Sequence, residues 1–166
     1  MKSLFSLIKS DILVNNVTYS KAFFDATVRA VISYRINNYI CKKISTKLAT
    51  ILHNRDRKKY SVDIYPSATI GEGFSIAHLG SIVIGDKVVI GKNCIVQSCV
   101  TIGQKDRNSG FPIIGDNVYI GTGAKVLGGV HIGTNVIIGA NAVVIHDIPD
   151  NCVAVGMPAK SVNSKL

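Results

Sequence analysis

The chain has 166 residues, enough for one compact domain or for a small domain with an appended segment. Its hydrophobic content of 47% excludes a disordered protein, and 15 Gly without any Trp indicate repetitive packing of small and β-branched residues. The net charge of +9 belongs to residues 1–62, which hold twelve Lys/Arg and three Asp/Glu, whereas residues 63–166 hold seven of each. The chain therefore has two physically different parts.

The first part, residues 1–62, predicts a basic α-helical region of two or three helices. Its apolar residues recur at three- and four-residue steps with basic residues between them, an amphipathic pattern. They are Val28, Val31, Ile32, Ile36, Tyr39, Ile40, Ile44, Leu48, Ile51 and Leu52. Residues 54–60, "NRDRKKY", have the composition of a polar linker. No apolar run approaches ~18 residues, so neither a signal peptide nor a spanning helix is predicted.

The second part, residues 63–166, carries a repeat of six residues. Apolar residues occupy thirteen in-phase positions: Ile64, Ile70, Ile76, Ile84, Ile90, Val96, Ile102, Ile114, Ile120, Val126, Ile132, Ile138 and Val144. Another small or apolar residue usually follows four positions later. A period of six does not match a helix face, and it predicts short strands joined by regular turns in a parallel β-helix.

Two interruptions of the repeat are candidate functional segments, because solenoids carry function on their insertions. They are residues 77–81, which contain His78, and residues 103–112, which are expected to form a protruding loop. Asp63 lies fifteen residues before His78. A carboxylate that orients an imidazole makes it a general base, but the spacing alone leaves a solvated turn equally open.

The other motifs predict little chemistry. His53, His131 and His146 are expected at the surface, and no cluster has the three His or Cys ligands of a zinc site, so no metal is predicted. The chain has no P-loop or Rossmann fingerprint. Four scattered cysteines without a C-x-x-C pair predict free thiols and a cytoplasmic protein. Nucleic-acid binding is the weaker interpretation of the basic charge, since no known motif accompanies it.

The segment from Asp63 to Val162 resembles the serine acetyltransferase branch of the hexapeptide acyltransferases. The resemblance rests on "DIYPSATIGEGF", "IAHLGSIVIGDKVVIGKNCIVQSCVTIG", "IGTGAKVLGGVHIGTNVIIGANAVV" and "AVGMPAKSV", and "SYRINNYI" is similar to the helix that precedes the solenoid there. The resemblance implies a left-handed parallel β-helix, a homotrimer and acetyl-CoA as co-substrate. It places the catalytic dyad on Asp63 and His78.

The same resemblance implies a CoA groove between neighbouring solenoids. The matching positions are Gly103, Gln104, Thr122, Ala140 and Lys160, with backbone N–H groups near Gly103 and Gln104 for the oxyanion and Lys160 for a CoA phosphate. Three residues depart from the pattern. Ala77 replaces an aspartate, and Gly110 and Phe111 replace an Arg-His pair, so the charged groups that bind free serine in that family are missing.

These departures favour a saccharide hydroxyl as the acceptor, as in the O-acetyltransferases of surface-polysaccharide pathways. The basic helices would then contact an anionic membrane that carries the lipid-linked sugar. A serine O-acetyltransferase of cysteine biosynthesis is the first alternative, and N-acetylation of an amino sugar nucleotide is the second. A solenoid that serves only as a binding platform is the non-enzymatic alternative.

Overall fold

A computed structural model describes residues 2–15 and 17–163, which form an N-terminal helical region followed by a parallel β-solenoid. The helices are α1 (Leu4–Val14), α2 (Tyr19–Ala22), α3 (Ala26–Lys43) and α4 (Thr46–Tyr60). Each begins after a side chain that caps its free N–H groups: Ser3, Thr18, Asp25 and Ser45.

The predicted polar linker at residues 54–60 is wrong, since these residues form the last two turns of α4. Arg57, Lys58 and Lys59 lie in the final turn, where positive charge interacts favourably with the helix dipole. Ser61 ends the helix in the left-handed conformation, with φ of 53°. The first strand begins at the next residue.

The solenoid consists of short strands that alternate among three sheets. The strands are β1 (Val62–Ile64), β2 (Thr69–Ile70), β3 (Ser75–Ile76), β4 (Ile82–Ile84), β5 (Val89–Ile90), β6 (Ile95–Val96), β7 (Thr101–Gly103), β8 (Ile113–Ile114), β9 (Tyr119–Ile120), β10 (Lys125–Leu127), β11 (His131–Ile132), β12 (Ile137–Ile138), β13 (Val143–Val144), β14 (Cys152–Gly156) and β15 (Ala159–Asn163). Sheet A has the order β1-β4-β7-β10-β13, sheet B β11-β8-β5-β2, and sheet C β15-β14-β12-β9-β6-β3. The chain therefore winds through about five coils, and the predicted β-helix is confirmed.

The repeat places one buried side chain in each of the first thirteen strands. All thirteen in-phase residues are at most 5% exposed, and they stack directly above one another, as Ile64, Ile84 and Ile102 do in sheet A. The second inward position is buried as well, for example Cys94 and Val100. The result is one continuous apolar core along the solenoid axis.

The turns between sheets B and C are stabilised by a ladder of asparagines. Asn93, Asn117, Asn135 and Asn151 have φ between 53° and 57°, a left-handed conformation that Asn tolerates better than most residues. Each side-chain amide donates to the carbonyl of the next, at 2.9–3.0 Å. The ladder fixes the same turn in successive coils.

The helical region covers the first coil of the solenoid, where carbonyl groups have no coil below to bond them. Tyr34 donates its hydroxyl to the Ala68 carbonyl at 2.9 Å, and Asn38 donates to the Pro66 and Ala68 carbonyls. Arg35 donates to the carbonyls of residues 70 and 71. Helix α3 therefore supplies the donors that the end of the solenoid lacks.

The same arginine joins α1 to this interface. Asp11 and Arg35 are 1% and 3% exposed, and the Arg35 Nε lies 2.7 Å from the Asp11 Oδ2. Asp11 also accepts the backbone N–H of Phe74 at 2.9 Å. Burial raises the pKa of Asp11, and the bonds from Arg35 oppose that rise. The pair thus connects α1, α3 and the first coil.

The apolar pattern of α3 and α4 predicts their helical state but only part of their buried face. Val28 and Val31 are 1% exposed, as the pattern predicts. The pattern residues Ile36, Tyr39, Ile44, Leu48 and Ile51 are instead 40–66% exposed, and Tyr34, Arg35 and Asn37 of α3 are buried. The reason is the polar end of the first coil, which requires donors rather than apolar side chains.

The last coil ends in a hairpin that the repeat does not predict. Strands β14 and β15 pair antiparallel, and β14 continues sheet C above β12. Across the described residues, no helix combines the length and apolar character needed to cross a membrane.

Candidate functional site

His78 lies at the corner where the chain leaves sheet C and enters sheet A. Two extra residues separate β3 from β4 in comparison with the six-residue step, and they widen this corner. The side chain of His78 is exposed, and no hydrogen bond of its ring to another described residue is found. An exposed imidazole can reach a ligand that lies along the outside of the solenoid.

The register of sheet C places His78 beside a row that contains predicted CoA-binding residues. Ile76, Val96, Ile120 and Ile138 are in register, so the residues that follow them turn the same corner of the solenoid. Ser98, Thr122 and Ala140 are stacked along this corner, and His78 lies next to them in the two-residue expansion of the first coil. Neighbouring coils are ~4.8 Å apart, so Ala140 lies ~10 Å from Ser98 along the row. We call this line the corner row.

The corner row is packed too closely for larger side chains at one position. A Cβ on Gly121 would lie 2.7 Å from the backbone nitrogen of Ala140. Thr122 and Ala140 are both exposed. The row therefore presents small and polar groups to the outside, as an extended ligand on the surface requires.

Lys160 lies beyond the end of the corner row, on β15. It pairs with Val155 in the outermost strands of sheet C, and its side chain is exposed. A cation stands at this end of the row, at the opposite end from His78. Its role as a contact to a CoA phosphate stays a prediction.

Asp63 lies at the centre of β1 in sheet A and contacts a histidine other than the predicted one. Its Oδ1 is 2.8 Å from the Nε2 of His53, and its Oδ2 is 3.5 Å from the Nη1 of Arg57. The structure shows no Asp63–His78 hydrogen bond within the described residues of the chain. The side chain of Asp63 remains 24% exposed and accessible to a further partner.

His53 was expected at the surface, and this prediction is wrong. The residue is 6% exposed on α4, and its ring centroid lies 5.1 Å from that of Tyr65. No signal in the sequence indicates this contact, because residues 54–60 have the composition of a linker although they continue α4. His131 and His146 are exposed, as predicted.

Gly103 and Gln104 lie at the C-terminal ends of the strands of sheet A, whereas His78 lies at their N-terminal ends. Gly103 ends β7, and Gln104 begins the segment of residues 104–112 that leads to sheet B. Gln104 donates to the Ser109 carbonyl at 2.8 Å, which holds the loop closed on itself. A three-residue strand spans about 10 Å, so the predicted oxyanion donors and His78 are not brought together within one chain.

The two predicted substrate positions, Ala77 and Phe111, also lie at opposite ends of the strands of sheet A. Ala77 is half-buried beside His78, and Phe111 is half-buried in the loop. The Nζ of Lys87 lies 5.5 Å from the centroid of the Phe111 ring, so a cation stands beside this ring. Within the described residues, no group of three His, Cys, Asp or Glu side chains forms a candidate metal site.

Comparisons with known families and curated proteins agree on one group. Residues 111–146 match the family model "Bacterial transferase hexapeptide (six repeats)", and residues 81–105 match "Hexapeptide repeat of succinyl-transferase". The chain is 34% identical to the serine acetyltransferase of Bacillus subtilis (strain 168), covering 95% of this chain and 77% of that protein. It is 35% identical to that of Synechococcus elongatus, covering 81% of this chain and 56% of that protein. The chain spans little more than half the length of several such relatives.

Solved structures give the same result. Soybean serine acetyltransferase matches with a TM-score of 0.91 and 35% identity, covering 96% of this chain and 69% of that chain. Its complex with serine matches with a TM-score of 0.91 and 34% identity, covering 96% and 70%. A serine acetyltransferase in complex with CoA matches with a TM-score of 0.88 and 32% identity, also covering 96% and 70%.

These comparisons correct the predicted acceptor. The assignment to surface-polysaccharide O-acetylation is wrong, because the matching relatives and structures named above are serine acetyltransferases. The replacement of charged residues at Ala77 and Phe111 is therefore a local difference within that group and does not indicate a saccharide acceptor. The chain belongs to the serine acetyltransferase family of hexapeptide-repeat transferases.

Proposed function

We propose that the protein transfers the acetyl group of acetyl-CoA to the hydroxyl of serine. The corner row carries this proposal, because it joins an exposed imidazole at His78 to exposed small residues and ends near Lys160. The similar structures in complex with CoA and with serine support the two ligands.

His78 acts as the general base in this proposal. Its ring accepts the proton of the serine hydroxyl while the hydroxyl oxygen attacks the thioester carbonyl carbon. The C–S bond then breaks, the CoA sulfur leaves and takes up the proton, and the products are O-acetylserine and CoA. Asp63 supports the positive charge that His78 gains during the attack.

The complete site forms between copies of the chain in this proposal. His78 lies at the N-terminal ends of the strands of sheet A, and Gly103 and Gln104 lie at their C-terminal ends. A trimer that sets the His78 corner of one copy against the loop corner of the next brings both groups to one acetyl-CoA. This assembly agrees with the groove between neighbouring solenoids that the family resemblance implies.

In this proposal, serine is bound by groups other than the charged residues that the family resemblance implies, because Ala77 and Phe111 carry no charge. Lys87, beside Phe111, is the candidate partner for the serine carboxylate. Replacing Lys87 by Gln is expected to raise the KM for serine about tenfold and leave kcat within about twofold, since the ion pair forms equally in the ground and transition states. An unchanged KM would exclude this role.

Two further predictions concern the location of the protein. Contact of the basic helices with an anionic membrane was predicted from a lipid-linked sugar, and it loses that support together with the saccharide. The cytoplasmic location stays a prediction.

The test is release of the CoA thiol by the purified chain, with acetyl-CoA and either free serine or a panel of sugars. We expect turnover with serine and a loss of about two to four decades in kcat for His78→Ala. His131→Ala, which changes an exposed histidine on β11, is the matched control and is expected to keep full activity. Equal rates for His78→Ala and the wild type would refute the proposal.

A further inference from the structure

Helix α4 places a buried imidazole against Asp63, the carboxylate of the predicted dyad. His53 is 6% exposed, its Nε2 lies 2.8 Å from the Oδ1 of Asp63, and its ring lies beside Tyr65. A carboxylate can only accept, so the Nε2 of His53 carries the hydrogen in this bond. The contact joins the helical region to the site.

The surroundings of this bond contain a competing cation. Arg57 lies one turn further along α4, with its Nη1 3.5 Å from the Oδ2 of Asp63 and half of its side chain exposed. Asp56, between these two residues, is bonded to Asn37 and Arg55 and not to the imidazole. Asp63 therefore has one close partner that is buried and one more distant partner that is half-exposed.

We propose that His53 is a positioning residue for Asp63, an inference that rests on the proposed function. The buried imidazole holds Oδ1, so the carboxylate keeps a fixed orientation and Oδ2 stays on the exposed side of sheet A, available to His78. Without the imidazole, the carboxylate turns to Arg57, whose charge weakens its support of the His78 imidazolium. His53 is not itself the base, because it is buried and its Nε2–H is already donated.

The test compares two amides at position 53. The side-chain nitrogen of Gln reaches about as far as the Nε2 of histidine, whereas that of Asn ends near the position of Nδ1 and falls short of Asp63. We expect His53→Asn to lower kcat 10- to 100-fold, the effect of a misplaced catalytic group, with the KM for acetyl-CoA within about twofold. His53→Gln is expected to retain kcat within about threefold.

A double variant separates positioning from general structural damage. If His53 acts through Asp63, His53→Asn lowers kcat in the wild type but causes no further loss in Asp63→Ala. A further tenfold loss in that background would overturn the proposal. Should His53→Asn fold poorly by circular dichroism, His53→Gln alone decides, since a tenfold loss in a well-folded Gln variant also overturns it.

The outcomes also distinguish this inference from the proposed function. If His53→Asn has wild-type kcat while Asp63→Ala and His78→Ala are impaired, the positioning role is overturned and the acetyltransferase assignment stands. If Asp63→Ala and His78→Ala both keep full activity, the assignment itself fails. His131→Asn, remote from α4, controls for the loss of an imidazole.

Discussion

Replacing Asp11 by alanine tests whether the helical region is anchored by a buried ion pair. The substitution leaves the guanidinium of Arg35, whose side chain is 2% exposed, without its carboxylate. Breaking a buried pair costs about 3–5 kcal/mol. Arg35 keeps the carbonyls of residues 70 and 71 as acceptors, so we expect the lower value, about 3 kcal/mol. This is a large share of the 5–15 kcal/mol that stabilises a typical domain.

The measurement is urea unfolding followed by circular dichroism. With a slope of about 2 kcal/mol/M, a loss of 3 kcal/mol lowers the midpoint by about 1.5 M. Asp25→Ala is the matched control, because Asp25 caps α3 through the N–H groups of Thr27 and Val28 and its loss is worth about 1 kcal/mol. If Asp11→Ala costs no more than Asp25→Ala, the anchoring role of the buried pair is refuted.

Three further predictions concern the solenoid. Gly121→Ala places a Cβ 2.7 Å from a backbone nitrogen of the next coil and is expected to cost about 1–3 kcal/mol, whereas Gly103→Ala, with nothing within 4 Å, serves as the control; equal melting temperatures would contradict the close packing. Asn117→Ala loses its ladder bonds and also places an ordinary side chain at φ 57°, so it is expected to be about 1–2 kcal/mol less stable than Asn117→Gly in thermal unfolding. Burial raises the pKa of Cys94 to about 12, so at pH 8 a thiol reagent is expected to label the exposed Cys99 in the folded protein and Cys94 only after denaturation, which mass spectrometry can check; labelling of both at one rate would contradict the burial.

The spacing of residues in the repeat predicts some features of the candidate site but not others. The corner position of His78 follows from the repeat, because the two-residue expansion occurs between two in-phase isoleucines. The partner of Asp63 does not follow from it, because that partner comes from α4, outside the repeat. The acceptor was also predicted wrongly, since the nature of two substituted positions, Ala77 and Phe111, does not show what other groups, such as Lys87, stand nearby.

The burial of the helices was equally hidden in the sequence. The spacing of Ile36, Ile44 and Ile51 predicts an apolar face toward the core, yet this face is exposed in the chain. A periodic pattern shows that a helix is amphipathic, but not what its partner surface needs. Here the partner is the open end of a solenoid, whose carbonyls select Tyr34 and Arg35 instead.

The β-helix could be predicted from the repeat alone, because each inward side chain of a six-residue repeat packs on its equivalent in the next coil. That packing is nearly local, and insertions at the corners leave it unchanged, as the loop before Ile114 does. The docking of the helices and the contact of His53 with Asp63 are visible only in the folded chain. Those contacts join residues of different periodicity across the open end of the solenoid, and they depend on the direction of single side chains, which a repeat pattern does not encode.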